Sequence, residues 1–307
     1  MKAKTTGAVR LRKFLNNNNT VGYIFAMPFI IGFLGFVIIP MIVSLYFSFT
    51  KYNIRTAPEW VGFANYIRLF TDARFYKSVW VTVKYVLFAV PLKLAFALLI
   101  AFILTKKSKL ESVLRAVYYL PSLIGGSVAV TLVWKELFSY TGLVNNVMGF
   151  LGIPAVSWFG DERFAVWPLI LLTVWQFGSS MIIFAAGLKQ IPSTYYEAAR
   201  IDGAGSVRIF FNITLPQLSP IILFNLVMQI ISGFMVFTQS YIISGGTGRP
   251  NDSTNFIALY IYNEAFKYFD MGYASALAWI LLLMIAVITL AIFKTSNMWV
   301  FYEYKED

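Results

Sequence analysis

Apolar runs long enough to cross a bilayer alternate along this chain with short polar stretches. A spanning helix needs about 20 mostly apolar residues, and six segments qualify: 21–49, 79–104, 117–138, 165–188, 218–243 and 275–294. The pattern predicts an all-α, polytopic membrane protein with six transmembrane helices over 21–295. A tail over 1–20 precedes them, and a tail over 296–307, too short to be a domain, follows. Pro28, Pro40, Pro91, Pro121 and Pro168 lie in or near the runs. Neighbouring helices can satisfy the backbone groups that proline frees in a membrane, so the prolines fit either kinked helices around a pathway or ordinary packing irregularity. The basic N-terminal segment leads into an apolar run longer than the core of a cleaved signal and has no small-residue cleavage site. Asn16 to Asn19 reads as a solvated lead-in to the first helix.

Composition sharpens this picture. Charged residues make up 13% of the 307, hydrophobic residues 59%, and the mean hydropathy is +0.69; a soluble domain would carry about 25% charge. The net charge of +11 raises nucleic acid as a partner, but the basic residues cluster at the ends of apolar runs, as membrane orientation requires. Lipid is the expected partner and nucleic acid is not. Without Cys or His the chain lacks thiolates and the commonest metal ligand and general base, so no catalytic or metal site is expected.

Lys and Arg also predict the orientation. With the N-terminus inside, the inner segments hold 14 of them: Lys2, Lys4, Arg10, Arg12, Lys13, Lys106, Lys107, Lys109, Arg115, Lys189, Arg200, Arg208, Lys294 and Lys305. The outer loops hold eight, five of them in the first outer loop. Cytoplasmic N- and C-termini satisfy the positive-inside bias better than the reverse.

Polar residues inside spans are rare enough to weigh singly. On the fifth span Asn225, Gln229, Ser232 and Gln239 fall on one helical face. On the fourth, Gln176, Ser179 and Ser180 share a face beside Trp175. Amides and hydroxyls could bind sugar hydroxyls, with Trp175 offering a flat face to a ring; the alternative is interhelical bonding, worth about 0.6 kcal/mol on average. Lys84 and Lys93 interrupt the second span on opposite faces. Lys84 can snorkel to the headgroups. Lys93 lies too deep for that, and a central charge costs about 2.5–3.5 kcal/mol. The readings are an acid on a partner subunit, a water-filled cavity, an anionic solute such as a uronate-containing oligosaccharide, or a span whose true bounds lie several residues away.

The longest motif-rich polar stretch between two such runs is "IPSTYYEAARIDGAGSVRIFFNITLPQLSP", 191–220. It reads as two short helices. A hydroxyl followed three residues later by Glu197 fits a capping box, Gly203 and Gly205 supply a stop, and a second run, Ser206 to Thr214, ends at Leu215-Pro216. Glu197-Ala198-Ala199, Asp202-Gly203-Ala204 and Ile213-Thr214-Leu215-Pro216, in that order, resemble the EAA loop of ABC importer permeases. The resemblance spans nearly the whole chain, with its core over about 79–295. It favours the carbohydrate, maltose-transporter-type branch of binding-protein-dependent inner membrane components, through "RAVYYLPSLIGGSVAVTLVWKELF" (115–138), "GLVNNVMGFLGIP" (142–154), "GGTGRPNDSTNFIALYIYNEAF" (245–266) and "MGYASALAWILLL" (271–283).

The resemblance implies a type I importer fold in a bacterial cytoplasmic membrane. The loop over 189–217 would dock on an ATP-binding cassette ATPase dimer through Glu197, Ala198, Ala199, Asp202, Gly203, Ala204 and Gly205. A second homologous permease and an extracellular solute-binding protein would complete the machine. The pathway would be lined from the corresponding spans, here by Lys93, Trp175, Gln176, Ser179, Gln229, Ser232 and Gln239. A first outer loop of about 29 residues departs from the maltose protein by leaving no room for a large insert, so maltose is not carried over as the solute. No Lys follows a Gly, which excludes a G-x-x-x-x-G-K-[ST] phosphate loop; ATP and Mg belong to the partner ATPase, and this chain needs no cofactor of its own. The alternative, an ion-coupled secondary transporter, requires an embedded acid or His. The only near-membrane acid is Glu136 beside Lys135, where an interfacial ion pair is expected. A membrane enzyme would lack the usual nucleophiles and bases.

Overall fold

The computed structural model describes residues 18–105 and 111–301, with side chains from residue 21 onward. Lys2, Lys4, Arg10, Arg12, Lys13, Lys106, Lys107, Lys109, Lys305 and the distal parts of both tails lie outside the described residues. Among the described residues four helices are long and apolar enough to cross a membrane: Val21–Ser48, Ala73–Leu104, Ser206–Ser244 and Met271–Ser296. Two bent pairs, Glu111–Ile124 with Val128–Leu137 and Trp167–Trp175 with Gly178–Gln190, bring the spans to six. By parity, Thr105 and segment 191–205 share one side, and segments 49–72, 138–166 and 245–270 share the other, the long-loop side.

Several spans begin earlier than their apolar runs, because a capping carboxylate can start a helix in polar sequence. Asp72 accepts from the backbone N–H groups of Arg74 and Phe75 at 2.9 and 3.3 Å, so the second span starts at Ala73 and not at 79. Asp270 accepts from Tyr273 N–H at 3.3 Å and opens the sixth span at Met271. The expected stop at Leu215-Pro216 is absent. The helix runs on from Ser206 through a π-turn at Phe210–Thr214 into Leu215–Phe234, and Pro216 follows directly on that turn, where the regular ladder of backbone hydrogen bonds is already interrupted. Two short strands, Thr50–Lys51 and Glu59–Trp60, pair antiparallel on the long-loop side and add to the all-α pattern.

The breaks are not at the prolines themselves. The second span continues through Pro91. The third turns by 98° after Ile124, where Gly125 and Gly126 end one helix and Ser127 caps the next by accepting from Val130 N–H at 3.3 Å. The fourth bends by 44° around Gln176 and Phe177. The Ser122 hydroxyl fills that gap, donating to Gln176 O at 3.2 Å and accepting from Ser179 N–H at 2.9 Å. Backbone groups freed inside a membrane must find such partners. Gly178 makes the approach possible, since a Cβ there would stand 2.7 Å from Tyr119 Cα.

The second span is the centre of the bundle, packed by the fourth and fifth spans. Its buried stripe, Tyr85, Ala89, Lys93, Ala97 and Ala101, recurs every fourth residue, and small residues there let helix backbones approach closely. The first span contrasts with it: none of its most apolar stretch is buried within the chain, and only its end, Ile39–Ser48, packs on the sixth span. Residues 297–301 fold back on the fifth span, where Val300 packs with Leu223 and Val227 and Phe301 N–H donates to Ser219 Oγ at 2.7 Å.

Candidate functional site

A cavity of about 280 Å³ opens between the second, fourth and fifth spans. That lies near the lower edge of ligand pockets, about 300–1,000 Å³. Four expected pathway residues of these spans meet there: Lys93, Gln176, Gln229 and Ser232, with Gln239 beyond them. Lys93 Nζ donates to Gln229 Oε1 at 2.8 Å. Gln176 Nε2 donates to Gly125 O and Leu172 O, both at 3.2 Å, leaving its Oε1 without a partner among the described residues.

Other expected residues are placed elsewhere. Trp175 lies against Trp134, ring centres 5.7 Å apart, and is not in the cavity wall. Ser179 and Ser180 sit at the bend, Ser180 fully buried. Asn225 is buried and donates to Ile221 O at 3.0 Å, a turn of its own helix. The interfacial pair Lys135–Glu136 does not form: Lys135 Nζ donates to Ile242 O at 3.2 Å, tying the third span to the fifth, and Glu136 is exposed. Lys84 lines a shallow recess with Lys77, Trp80 and Glu162 near the long-loop side.

Sequence reading missed Tyr85, Thr173, Phe237 and Thr238, which also line the cavity. Tyr85 was accessible to it, standing eight residues before Lys93 on the same face; its hydroxyl shares a 2.6 Å hydrogen bond with Thr173. Phe237 could not be read, because it follows the unwinding at Met235 that ends the long fifth-span helix.

The Glu197 segment forms a short helix, Ser193–Ile201, on the side opposite the long loops. The expected capping box is not made. Pro192 takes the cap position, no side chain bonds there, and the hydroxyls of Ser193 and Thr194 fall inside the first turn. Its end is well defined: Gly203, at φ +76°, donates to Arg200 O at 3.0 Å, and Ala204 N–H donates to Ala199 O at 2.9 Å. That is a Schellman closure, which favours glycine at the left-handed position. Gly205 does not share in the stop; it is extended and precedes the next helix. Glu197, Ala198, Asp202 and Gly203 are exposed, Ala199 and Ala204 half-buried, and Ile201 and Val207 stand 86% and 72% exposed beside them. A groove of about 570 Å³ runs along Ala198, Ala199 and Asp202 to Ile213, Pro216 and Phe301.

On the long-loop side a polar clasp joins the loop helix Ala64–Leu69 and the start of the second span to the start of the sixth. Asp72 accepts from Tyr260 Oη at 2.5 Å and from Tyr273 Oη. Arg68 pairs with Asp270 at 2.6 Å and Arg74 with Asp252 at 3.0 Å. Burial alone would raise the Asp72 carboxyl, but the two tyrosine hydroxyls and the N–H groups of Phe75 and Arg74 outweigh it and hold it below the ordinary value. Burial raises Glu264, with Arg68 only partly compensating.

A family model described as binding-protein-dependent transport system inner membrane component matches residues 72–295. "Probable ABC transporter permease protein YesP" of Bacillus subtilis (strain 168) is 52% identical over 309 residues, covering all of both chains. The arabinooligosaccharides transport system permease protein AraP of the same organism is 30% identical, covering 93% of this chain and 91% of AraP. A chain of a bacterial alginate ABC transporter, solved in complex with an alginate pentasaccharide-bound periplasmic protein, shares the fold with a TM-score of 0.79 at 24% identity, covering 94% of this chain and 98% of that one. The matched region takes in five of the six spans, the cavity and the whole Glu197 segment, and the chain belongs to the binding-protein-dependent transport system inner membrane components, the permease subunits of ABC importers.

Proposed function

We propose that this permease carries a carbohydrate, an oligosaccharide in particular, and forms half of its pathway across the cytoplasmic membrane. The polar cavity at mid-span carries this reading: Gln176, Gln229, Ser232 and Gln239 offer amides and hydroxyls among apolar walls, the groups that sugar hydroxyls need. Relatives whose names specify a solute agree, AraP with arabinooligosaccharides and MsmF of Streptococcus mutans, 34% identical, with multiple sugars. In this reading the Glu197–Gly205 segment faces the cytoplasm, as do both termini, and docks on a separate ATPase dimer that binds ATP and Mg. Exposed Ile201 and Val207 beside small alanines suit close packing against a partner. A second permease covers the unburied first span and closes the cavity, and a solute-binding protein delivers from the long-loop side.

Gentle purification of the tagged chain from its native membrane, with mass spectrometry of what accompanies it, tests the assembly. An ATP-binding cassette ATPase and a second six-span permease are expected. Recovery of the chain alone, with solute uptake that follows an ion gradient, overturns the reading in favour of a secondary transporter. Uptake of a labelled oligosaccharide panel into proteoliposomes containing the assembled complex and its binding protein then tests the solute class.

A further inference from the structure

Among the described residues Lys93 has no counter-charge within its own chain. It lies 11 residues before Leu104 and 20 after Ala73, or about 17 and 30 Å at ~1.5 Å per residue, beyond the reach of a lysine side chain to either surface. It belongs to the buried Tyr85–Ala89–Lys93–Ala97–Ala101 stripe and is only 8% exposed, so it faces the bundle and not lipid. No Asp or Glu occurs within 21–48, 73–104, 112–135, 167–190, 206–244 or 271–296. Among the described residues the ammonium makes one hydrogen bond, to the neutral amide of Gln229 at 2.8 Å.

That bond sets the polarity of the cavity. Because Gln229 Oε1 accepts from the ammonium, its Nε2 hydrogens are left to donate, and they have no acceptor among the described residues. Lys93 and Gln229 together form a patch of donors carrying one positive charge. The opposite sense holds at Gln176, whose Nε2 is committed to Gly125 and Leu172 and whose Oε1 is left to accept. Tyr85 and Thr173 share one hydrogen bond, so one of the two hydroxyls donates to the other and the second keeps its own hydrogen. Donors around a single positive charge suit a carboxylate, which accepts through both oxygens; a free acceptor close by suits a sugar hydroxyl. A phosphate, at about −1.5 to −2, would leave excess negative charge in the membrane, whereas a carboxylate neutralises Lys93.

Resting on the sugar-permease reading above, the geometry points to Lys93 as the specificity-determining residue for an acidic oligosaccharide, one whose uronate carboxylates bind the Lys93–Gln229 donor pair as they pass. The ammonium supplies the counter-charge that brings the anion across the low-dielectric centre, and the passing carboxylate relieves the unpaired lysine.

The test uses the assembled complex with its partner subunits and binding protein in proteoliposomes loaded with ATP. Two labelled probes are compared: hexuronate oligosaccharides of two to five units, and the same pool after chemical reduction of its carboxyls. The wild type is expected to import the acidic pool. Lys93→Met is expected to lower acidic uptake at least tenfold relative to reduced-pool uptake, and Lys93→Arg to stay within about threefold of wild type. Size-exclusion chromatography shows whether each variant assembles, and Lys93→Gln replaces Lys93→Met if the latter does not. An unchanged ratio of acidic to reduced uptake, whether both fall together or neither falls, overturns the inference and makes Lys93 a structural charge paired with an acid on the second permease. Wild-type uptake of the reduced pool alone, or of a phosphorylated sugar in place of the acidic pool, also overturns it while leaving the permease reading intact. Failure to import any sugar, neutral or acidic, overturns both.

Discussion

Gln176 of the fourth span reaches back to Gly125 of the third, its amide N–H donating to the glycine carbonyl at 3.2 Å. The contact joins two breaks: the 98° turn of the third span and the 44° bend of the fourth. A Cβ on Gly125 would overlap the Gln176 side chain. Gly125→Ala therefore displaces the cavity amide without removing it. Uptake is expected to fall about tenfold, with thermal stability lowered by about 1–3 kcal/mol, the usual range for over-packing. Transport assays and unfolding scans on the same preparation check this; wild-type uptake would show that the Gln176 amide is not needed at that place.

The Glu197 segment should separate docking from folding. Glu197 is exposed and makes no capping bond, so Glu197→Lys should leave insertion and yield unchanged. Gly203→Pro acts through the backbone: proline is held near φ −65°, against +76° in the fold, and it removes the N–H that closes on Arg200. Both variants are expected to reach the membrane yet transport at under about a tenth of the wild-type rate, because the partner ATPase no longer drives the permease. Parallel uptake and ATP-hydrolysis measurements decide, and wild-type uptake by both would sink the docking role.

Asp72 should set the acid limit of the long-loop clasp. Its folded carboxyl titrates below the ordinary 3.8, so its stabilisation is present above that value and lost as pH falls through the lower folded one. Asp72→Asn keeps one acceptor oxygen but sets its NH2 either against both tyrosine hydroxyls, which share Oδ2, or against the two backbone N–H groups, which share Oδ1. It should cost about 2–3 kcal/mol at pH 7, as expected when hydrogen bonds to a charged group are weakened, and it should flatten the acid limb. Thermal unfolding between pH 7 and 3 measures both.

Glu264 has the opposite sign. Burial raises its carboxyl above the ordinary 4.5, so its contribution is greatest below that pH and declines as pH rises through the folded value. Glu264→Gln is expected to raise the unfolding temperature at pH 7 and leave it unchanged at pH 4. A uniform shift at both pH values would mean that packing, and not charge, is responsible.

Gly272 marks where the first long loop meets the sixth span. Its N–H donates to Tyr52 O at 3.2 Å, and a Cβ would overlap Thr50 O. Gly272→Ala should part the two-stranded sheet from the sixth span at about 1–3 kcal/mol, with faster proteolysis of residues 49–72. Limited proteolysis of the reconstituted protein checks it.

By itself the sequence determined the apolar spans and the family, and it singled out the Glu197 segment and five of the residues that the fold gathers at the cavity: Lys93, Gln176, Gln229, Ser232 and Gln239. Lipid exposure demands long apolar runs, and a polar segment of this length between two of them stands out at once. The isolation of Lys93 was legible too, since the only acid in the six apolar runs, Glu136, stands at the end of the third. Tertiary structure alone decided what each polar residue meets. Gln176, Ser179 and Trp175 lie within five residues on neighbouring turns, yet only Gln176 reaches the cavity, because the bend at Gln176 and Phe177 turns Ser179 toward Ser122 and the Trp134 ring covers Trp175. The Asp72 clasp was invisible for the same kind of reason. Its partners Tyr260 and Tyr273 are 188 and 201 residues away, and helical periodicity carries no information about which distant helix end will be its neighbour.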